Sequence, residues 1–395
     1  MSPHNYISLF SGAGGLDIGL ERCGFAAVSL CEIEPVFCRT LELNKGWTHS
    51  DSHSYFEEAD IINADIREVS PRDLLRGKDV QLVIGGPPCQ AFSSAGKQLS
   101  VLDPRGALVS QFCRVIDHIK PKMFLFENVR GIITARGADG TPGGVIRELM
   151  GILESLGYSC RAGLLNSADF GSYQRRVRCF IIGTRNGIVP NFPHGGYSRL
   201  ASEQPNLLFL PWRTLGGFLE HHADKNEGDF VYPTESLARE LSQLPNGSGL
   251  KSKGRAESTR PGGHWGYRQG TFIADPTLPA RTVTGSSSQD WIRWDGKLRR
   301  LTLYEVTRLQ GFPDDWIISG NNAQRFKQVG NAVPIVFGEV LGGTIRTHLD
   351  NYPTGPSVRI PFPVDFEGYI TYTKKDHERN KDARQVHLRF KNHKS

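Results

Sequence analysis

The first 185 residues alternate short apolar runs with amphipathic stretches. Tyr6-Ile7-Ser8-Leu9-Phe10 reads as a strand, a glycine-rich turn follows, and Asp17 to Cys23 carries a helical pattern. Ala26 to Cys31 is the next strand and Pro35 to Asn44 the next helix. Val80 to Ile84, Met123 to Phe126 and Cys179 to Gly183 read as further strands, with Ala107 to His118 and Gly143 to Leu156 as helices. Strands separated by helices predict an α/β fold with a doubly wound parallel sheet. Ligands in such sheets sit beyond the carboxyl ends of the strands. Each conspicuous motif described below is expected just after a strand.

From about Ile188 the texture changes. Prolines, glycines and aromatics become frequent, and no strand–helix rhythm returns until about Leu301. Leu301 to Leu309 predicts one helix, and Gly330 to Leu349 predicts another that rejoins the first domain. The expected division is 1–185 as a first domain, 186–280 as a loop-rich second one, 281–350 as a return segment and 351–395 as a basic extension. Residues 46–60 and 133–143 read as surface loops.

A chain of 395 residues can bury a substantial core and divide in two. A charged fraction of 22% against a hydrophobic fraction of 38% describes a globular protein. No apolar run approaches a membrane span, and the N-terminus lacks a secretory pattern. The seven cysteines show neither CxxC nor zinc spacing, so free thiols in a reducing cytoplasm are expected, with no metal. The net charge of +6 is concentrated at one end. Residues 374–395 hold eight Lys/Arg against three Asp/Glu, which leaves the rest of the chain near neutrality. Any polyanion site must therefore arise from local clustering.

Phe10-Ser11-Gly12-Ala13-Gly14-Gly15-Leu16 is a glycine-rich strand-to-helix turn, which lets backbone N–H groups approach a nucleoside or a carboxylate. A tight structural turn or a nicotinamide site would look similar. Glu32, at the tip of the second strand, is placed to hold ribose hydroxyls. Asp65-Ile66 offers one hydrogen bond and one apolar face to an adenine.

Gly85-Gly86-Pro87-Pro88-Cys89-Gln90 puts a single cysteine in a loop of restricted backbone, among polar Gln90, Ser93 and Ser94. A free cysteine is most often a small buried hydrophobe; this setting suits a nucleophile instead. Candidate cations lie in Gln174-Arg175-Arg176-Val177-Arg178, where alternation aims Gln174, Arg176 and Arg178 together, or which forms a solvated strand edge. Glu127-Asn128-Val129 ends the apolar strand beginning at Met123. A carboxyl there is either a capping or ion-paired group, or one with raised pKa that donates a proton.

Together these segments resemble the DNA (cytosine-5)-methyltransferases of bacterial restriction–modification type. The resemblance also rests on Cys31-Glu32-Ile33-Glu34, Asp103-Pro104-Arg105-Gly106, Arg281-Thr282-Val283-Thr284 and Gly330-Asn331-Ala332-Val333-Pro334, all in the family's order. It covers residues 5–185 and 279–340. It implies a Rossmann-like S-adenosylmethionine-dependent domain with a mostly parallel sheet, facing a small target-recognition domain across a cleft. Residues 133–143 and the chain beyond about 352 match no family motif.

Carried over to this chain, the cofactor pocket would comprise Phe10, Ser11, Gly12, Ala13, Gly14, Gly15, Leu16, Glu32, Ile33, Asp65, Ile66, Gly85, Pro87, Leu108, Asn331 and Ala332. Cys89 would attack carbon 6 of cytosine, Glu127 would engage ring nitrogen 3, and Arg178 would hold the base oxygen. Arg176 would contact a phosphate, with Gln90, Ser93, Arg281 and Thr282 also at the DNA. The implied partner is double-stranded DNA, bound by a monomer with no membrane association, alongside a cognate restriction endonuclease acting on the same site.

Charge points to the DNA-facing part of the second module. Residues 186–245 carry four Lys/Arg against seven Asp/Glu, whereas 246–280 carry five against two. Lys251, Lys253, Arg255, Arg260 and Arg268 are therefore the expected contacts, among Gly262, Gly263, His264, Trp265 and Tyr267. The same apparatus could serve transfer RNA, or persist in a silent DNA-binding homologue. The length of 186–280 favours a duplex reader, and the intact Cys89, Glu127 and Arg178 favour an active enzyme.

Overall fold

The computed structural model describes residues 3–88, 107–138, 140–199, 201, 208–250, 270–353, 355, 360–363, 366–367 and 370. In chain order the main elements are β1 (His4–Leu9), α1 (Gly15–Arg22), β2 (Phe25–Glu32), α2 (Pro35–Asn44), β3 (Asp60–Asn63), α3 (Pro71–Leu74), β4 (Leu82–Gly85), α4 (Ala107–Ile119), β5 (Met123–Val129), α5 (Gly144–Ser155), β6 (Ser159–Asn166) and β7 (Val177–Thr184). There follow β8 (Tyr197–Ser198), β9 (Leu210–Pro211), α6 (Leu215–His222), α7 (Glu235–Ser242), β10 (Trp291–Trp294), β11 (Lys297–Arg300), α8 (Leu303–Leu309), α9 (Asn322–Asn331) and α10 (Ile335–Asn351). No helix among the described residues is long and apolar enough to cross a membrane.

Seven strands form one sheet in the order β3-β2-β1-β4-β5-β7-β6. The strands are apolar on both faces, as a sheet covered by helices on each side requires. In β5, Met123 and Leu125 join one buried cluster while Phe124 and Phe126 join the other. Pairing is parallel from β3 through β5, but β7 runs antiparallel to both β5 and β6. The sheet is thus mixed, and this alters one expectation. Gln174–Arg178 runs into the start of its strand rather than following one, and the reversal of β7 still brings it to the carboxyl end of β5: Val129 lies opposite Arg178.

Two further elements differ from the periodicity. The stretch expected as one helix from Gly330 to Leu349 is two, α9 and α10, interrupted at Ala332–Pro334. Pro334 cannot donate its backbone to a continuing helix and restricts the residue before it. Helix α9 begins with a capping box between Asn321 and Gln324, a start signal that the apolar pattern does not register. The second is β6, which is half-polar and edges the sheet.

Helix α10 returns to pack on α1 through glycines. A Cβ on Gly19 would lie 2.4 Å from the Ile335 carbonyl, and one on Gly338 would lie 2.3 Å from the Leu16 carbonyl. Backbones this close tolerate no side chain, so the contact fixes the late motif beside the first turn of the chain.

Beyond β7, a small separate core unites Leu241, Ile273 and Trp291, with Leu237, Leu244 and Leu298 packed around it. It draws on both the 235–250 and 291–298 stretches. Residues of the C-terminal extension also enter the main core: Phe366 and Ile370 are buried, Glu367 pairs with Arg147 at 2.5 Å, and Ile370 covers Gly143 at the end of the 133–143 loop.

Asp17 sits fully buried in the first turn of α1, and its Oδ1 has no hydrogen-bond partner among the described residues. Burial pushes its carboxyl up to about 6. The stability tied to this proton is complete below the unfolded carboxyl's pKa, near 4, and is lost as pH rises through 6. Asp17→Asn is therefore expected to stabilise the fold by roughly 2–3 kcal/mol at about pH 7.5 and much less at about pH 4.5. Thermal unfolding at both pH values checks this; an equal shift at the two would refute it.

Candidate active site

The sheet order reverses direction between β1 and β4, the point where open α/β sheets leave a crevice. The Phe10–Leu16 turn leaves β1 there. Phe10 itself has φ 58°, a left-handed conformation uncommon for a bulky residue and characteristic of sites under functional constraint. Gly12, at φ 58°, has open space where a side chain would stand, and its N–H donates to Glu32 Oε2 at 2.9 Å. Glu32 Oε1 accepts from the Glu34 N–H at 2.9 Å, and burial raises the carboxyl's pKa. Next to it Ile33 is 57% exposed, an apolar face open among the described residues.

On the far side of the turn, Gly15 abuts the second glycine motif: a Cβ would lie 2.3 Å from the Val333 carbonyl. Ala332 is buried and Asn331 exposed beside it. Ser11, Ala13, Gly14 and Leu16 complete the turn, with Ala13 and Leu16 buried. Leu108 is half-buried at the start of α4. Asp65 is engaged by Arg67, whose Nε lies 3.0 Å from its carboxylate, which holds Asp65 below its usual range. Ile66 points into the core, and its carbonyl accepts from Arg114.

This crevice offers a backbone cradle, a carboxylate and an exposed apolar face in one place, a donor set that fits a nucleoside-containing cofactor.

One strand further along, β4 ends at Gly85 and the chain turns into Gly86, Pro87 and Pro88. Pro87 is buried, and its carbonyl accepts a hydrogen bond from Asn128 Nδ2 at 3.2 Å. The approach to Cys89 is thereby tied to the Glu127-Asn128-Val129 end of β5. Cys89, Gln90 and Ser93 lie outside the described residues, as do Lys251, Lys253, Arg255, Arg260 and Arg268.

Glu127 is buried at the carboxyl end of β5, with Oε1 2.9 Å from Arg178 Nε. A side chain on Gly86 would meet its Oε2 at 2.8 Å, so the glycine leaves room for the carboxyl. Burial raises the pKa of Glu127, and Arg178 followed by Arg176 opposes that rise.

The expected phosphate contact of Arg176 is corrected. Arg176 is 2% exposed, with Nη1 donating to the Val283 carbonyl at 2.8 Å and Nη2 to the Gly330 carbonyl at 2.7 Å. Gln174 is likewise enclosed, donating to Gln310 Oε1 and accepting from the Val283 N–H. Both residues bind the return segment to the sheet. Gln174 and Arg176 are covered by 283–330 rather than open to a ligand.

Arg281 stacks over Phe272 and pairs with Asp290 at 3.2 Å. Thr282 is exposed, and its hydroxyl donates to the Arg175 carbonyl.

The sequence model of the C-5 cytosine-specific DNA methylases matches residues 4–347. The chain belongs to that family.

Among similar proteins, the Type II methyltransferase M1.HphI of Haemophilus parahaemolyticus is 32% identical over 351 residues, 86% of each chain. M.PspPI of a Psychrobacter strain is 33% identical over 365 residues, covering 89% of this chain and 80% of its own. The Entamoeba histolytica methyltransferase EhMeth has the same fold, with a TM-score of 0.62 at 16% identity over 88% of this chain and 99% of its own. This cytosine methylase transfers a methyl group from S-adenosylmethionine to carbon 5 of cytosine in DNA. The crevice residues fit its cofactor: Gly12 and Glu32 would hold the nucleoside, and Ile33 would cover the adenine.

Proposed function

We propose that this cytosine methylase modifies one specific duplex sequence through a covalent bond from Cys89, with Glu127 and Arg178 holding the target base. What carries this reading is the Glu127–Arg178 pair, buried at the end of β5 and linked through Asn128 to the Pro87 turn that leads into Cys89.

A stacked cytosine cannot enter such a site, so the base is flipped out at a cost of a few kcal/mol, offset by backbone and stacking contacts. The Cys89 thiolate adds to carbon 6, and electron density moves to carbon 5 and nitrogen 3. Glu127, whose pKa burial raises, donates a proton to nitrogen 3 and stabilises the developing charge. Arg178 keeps the carboxyl oriented and reaches the base oxygen. The bound cofactor supplies an electrophilic methyl group to carbon 5. Loss of the carbon 5 proton to solvent, with return of the nitrogen 3 proton to Glu127, then breaks the bond to sulfur, which restores the aromatic ring and the thiolate.

In this reading the catalytic domain comprises 1–185 and 281–350. The target-recognition domain spans 186–280, with its basic end, Lys251 to Arg268, at the DNA, and its small core extends into the β10–β11 hairpin. The enzyme acts as a monomer in the cytoplasm and protects sites that a companion restriction endonuclease would cut.

The decisive experiment is trapping on duplexes in which 5-fluorocytosine replaces cytosine, with S-adenosylmethionine present. Fluorine cannot leave as a proton does, so a denaturation-resistant protein–DNA adduct mapping to Cys89 is expected. An adduct on transfer RNA and none on any duplex would overturn the reading.

A further inference from the structure

Helix α9 ends in a way that its own backbone cannot complete. The last carbonyls of a helix have no partner within it. Beyond α9 the chain turns through Ala332, Val333 and Pro334, and Pro334 has no N–H to offer. The Ala332 N–H reaches the Gln328 carbonyl at 3.0 Å, and Arg176 takes the Gly330 carbonyl. The carbonyls of Val329 and Ala332 are both taken by one side chain from elsewhere: Gln310 Nε2 donates to them at 2.5 and 3.1 Å.

Gln310 directly follows α8 and is 1% exposed. Its Oε1 accepts from Gln174 Nε2 at 2.9 Å, and Gln174 Oε1 accepts in turn from the Val283 N–H at 2.9 Å. Both N–H groups and the oxygen of the Gln310 amide are thus used, and the flipped amide would set its oxygen against two carbonyls. The backbone carbonyl of Gln310 accepts from the N–H of Ile335, the first residue of α10, at 3.0 Å. One residue therefore holds both sides of the break between α9 and α10. A buried network with every group satisfied specifies a single conformation.

The break it holds is the part of the return segment that meets the glycine-rich turn. From where a Cβ on Gly15 would stand, the Val333 carbonyl lies 2.3 Å away and the Ala332 Cβ 3.3 Å away. Backbones this close leave no slack, so the placing of Asn331 and Ala332 depends on how the turn is held. We infer, given that the β1–β4 crevice holds S-adenosylmethionine, that Gln310 is a positioning residue for the cofactor. It fixes the Val329–Ala332 turn that presents Asn331 and Ala332 to the crevice, and it does so without touching the methyl donor. A ligand site keeps its geometry only when such supporting bonds lock the groups that line it. Gln174 extends the same support to the strand that carries Arg178, four residues further on.

The test titrates the full chain, as wild type and as Gln310→Met, with S-adenosylmethionine and with S-adenosylhomocysteine in a calorimeter. Methionine keeps the length of glutamine and donates no hydrogen bond. The variant should bind either ligand at least about tenfold more weakly, the scale of one buried acceptor left unpaired. The KM for S-adenosylmethionine should rise by a similar factor, while kcat at saturating cofactor and the KM for plasmid DNA stay within about twofold. A merely structural role would lower the unfolding temperature of the ligand-free protein and leave the affinity of the folded protein alone. That result, or any weakening below about tenfold, would overturn the inference. Gln310→Asn, whose amide falls one methylene short of the carbonyls, takes the place of Gln310→Met if the latter does not fold. Gly12→Val fills the open face of the cradle and controls for the crevice itself. Undiminished cofactor binding by that variant would count against the crevice as the cofactor site, and not against the role of Gln310.

Discussion

Cys89→Ser is expected to reduce methyl transfer at least about 10⁴-fold, the scale reached when a covalent nucleophile is removed. A thiolate is accessible near neutral pH, whereas a serine hydroxyl without an adjacent base stays protonated and nucleophilically weak. Serine matches cysteine closely in size, so the loop after Pro88 should keep its course and cofactor affinity should be retained. Methyl transfer to unmethylated DNA, equilibrium cofactor binding and the 5-fluorocytosine adduct together check this. Loss of cofactor binding along with activity would assign Cys89 a structural role, and residual turnover above about 1% would remove it from the chemistry.

Glu127→Gln should lower kcat by about 10²–10³, the cost of losing one preorganised group on developing charge. The amide keeps the volume that Gly86 leaves open and can still accept from Arg178 Nε. It cannot deliver a proton to nitrogen 3. Because burial raises the pKa of Glu127, the protonated form persists above the usual carboxylate range. The wild-type rate should fall on the alkaline side as that proton is lost, and the Gln variant should lack this limb. A kcat within threefold of wild type, with the alkaline limb intact, would rule out Glu127 as the donor.

Much of the site was legible because its signals are local. Strands β1, β2, β4 and β5 announce themselves as apolar runs, and the glycines at 12–15 mark the turn after β1 whatever surrounds it. Glu127 stood out because a carboxyl closing a buried strand demands a partner. That partner, Arg178, was distinguished from Arg176 two residues earlier only by the family resemblance, not by residue type or spacing. Both lie on one face by alternation, and only the packing of 283–330 over that face encloses Arg176 while Arg178 remains at Glu127. Phe10 carried no such signal, since its left-handed backbone follows from the turn it begins and not from its side chain.

The sequence by itself determined the class of fold, the order of motifs, the family they resemble and the residues suited to the chemistry. Each of these depends on residue type at short spacing. The tertiary structure alone decided that β7 runs against its neighbours and that Arg176 is a strut. It alone set the glycine contact of α1 with α10, which brings Ala332 and Asn331 to the first turn. The physical reason is separation along the chain: these pairings join residues tens to hundreds of positions apart, and no local periodicity encodes which surface will cover which.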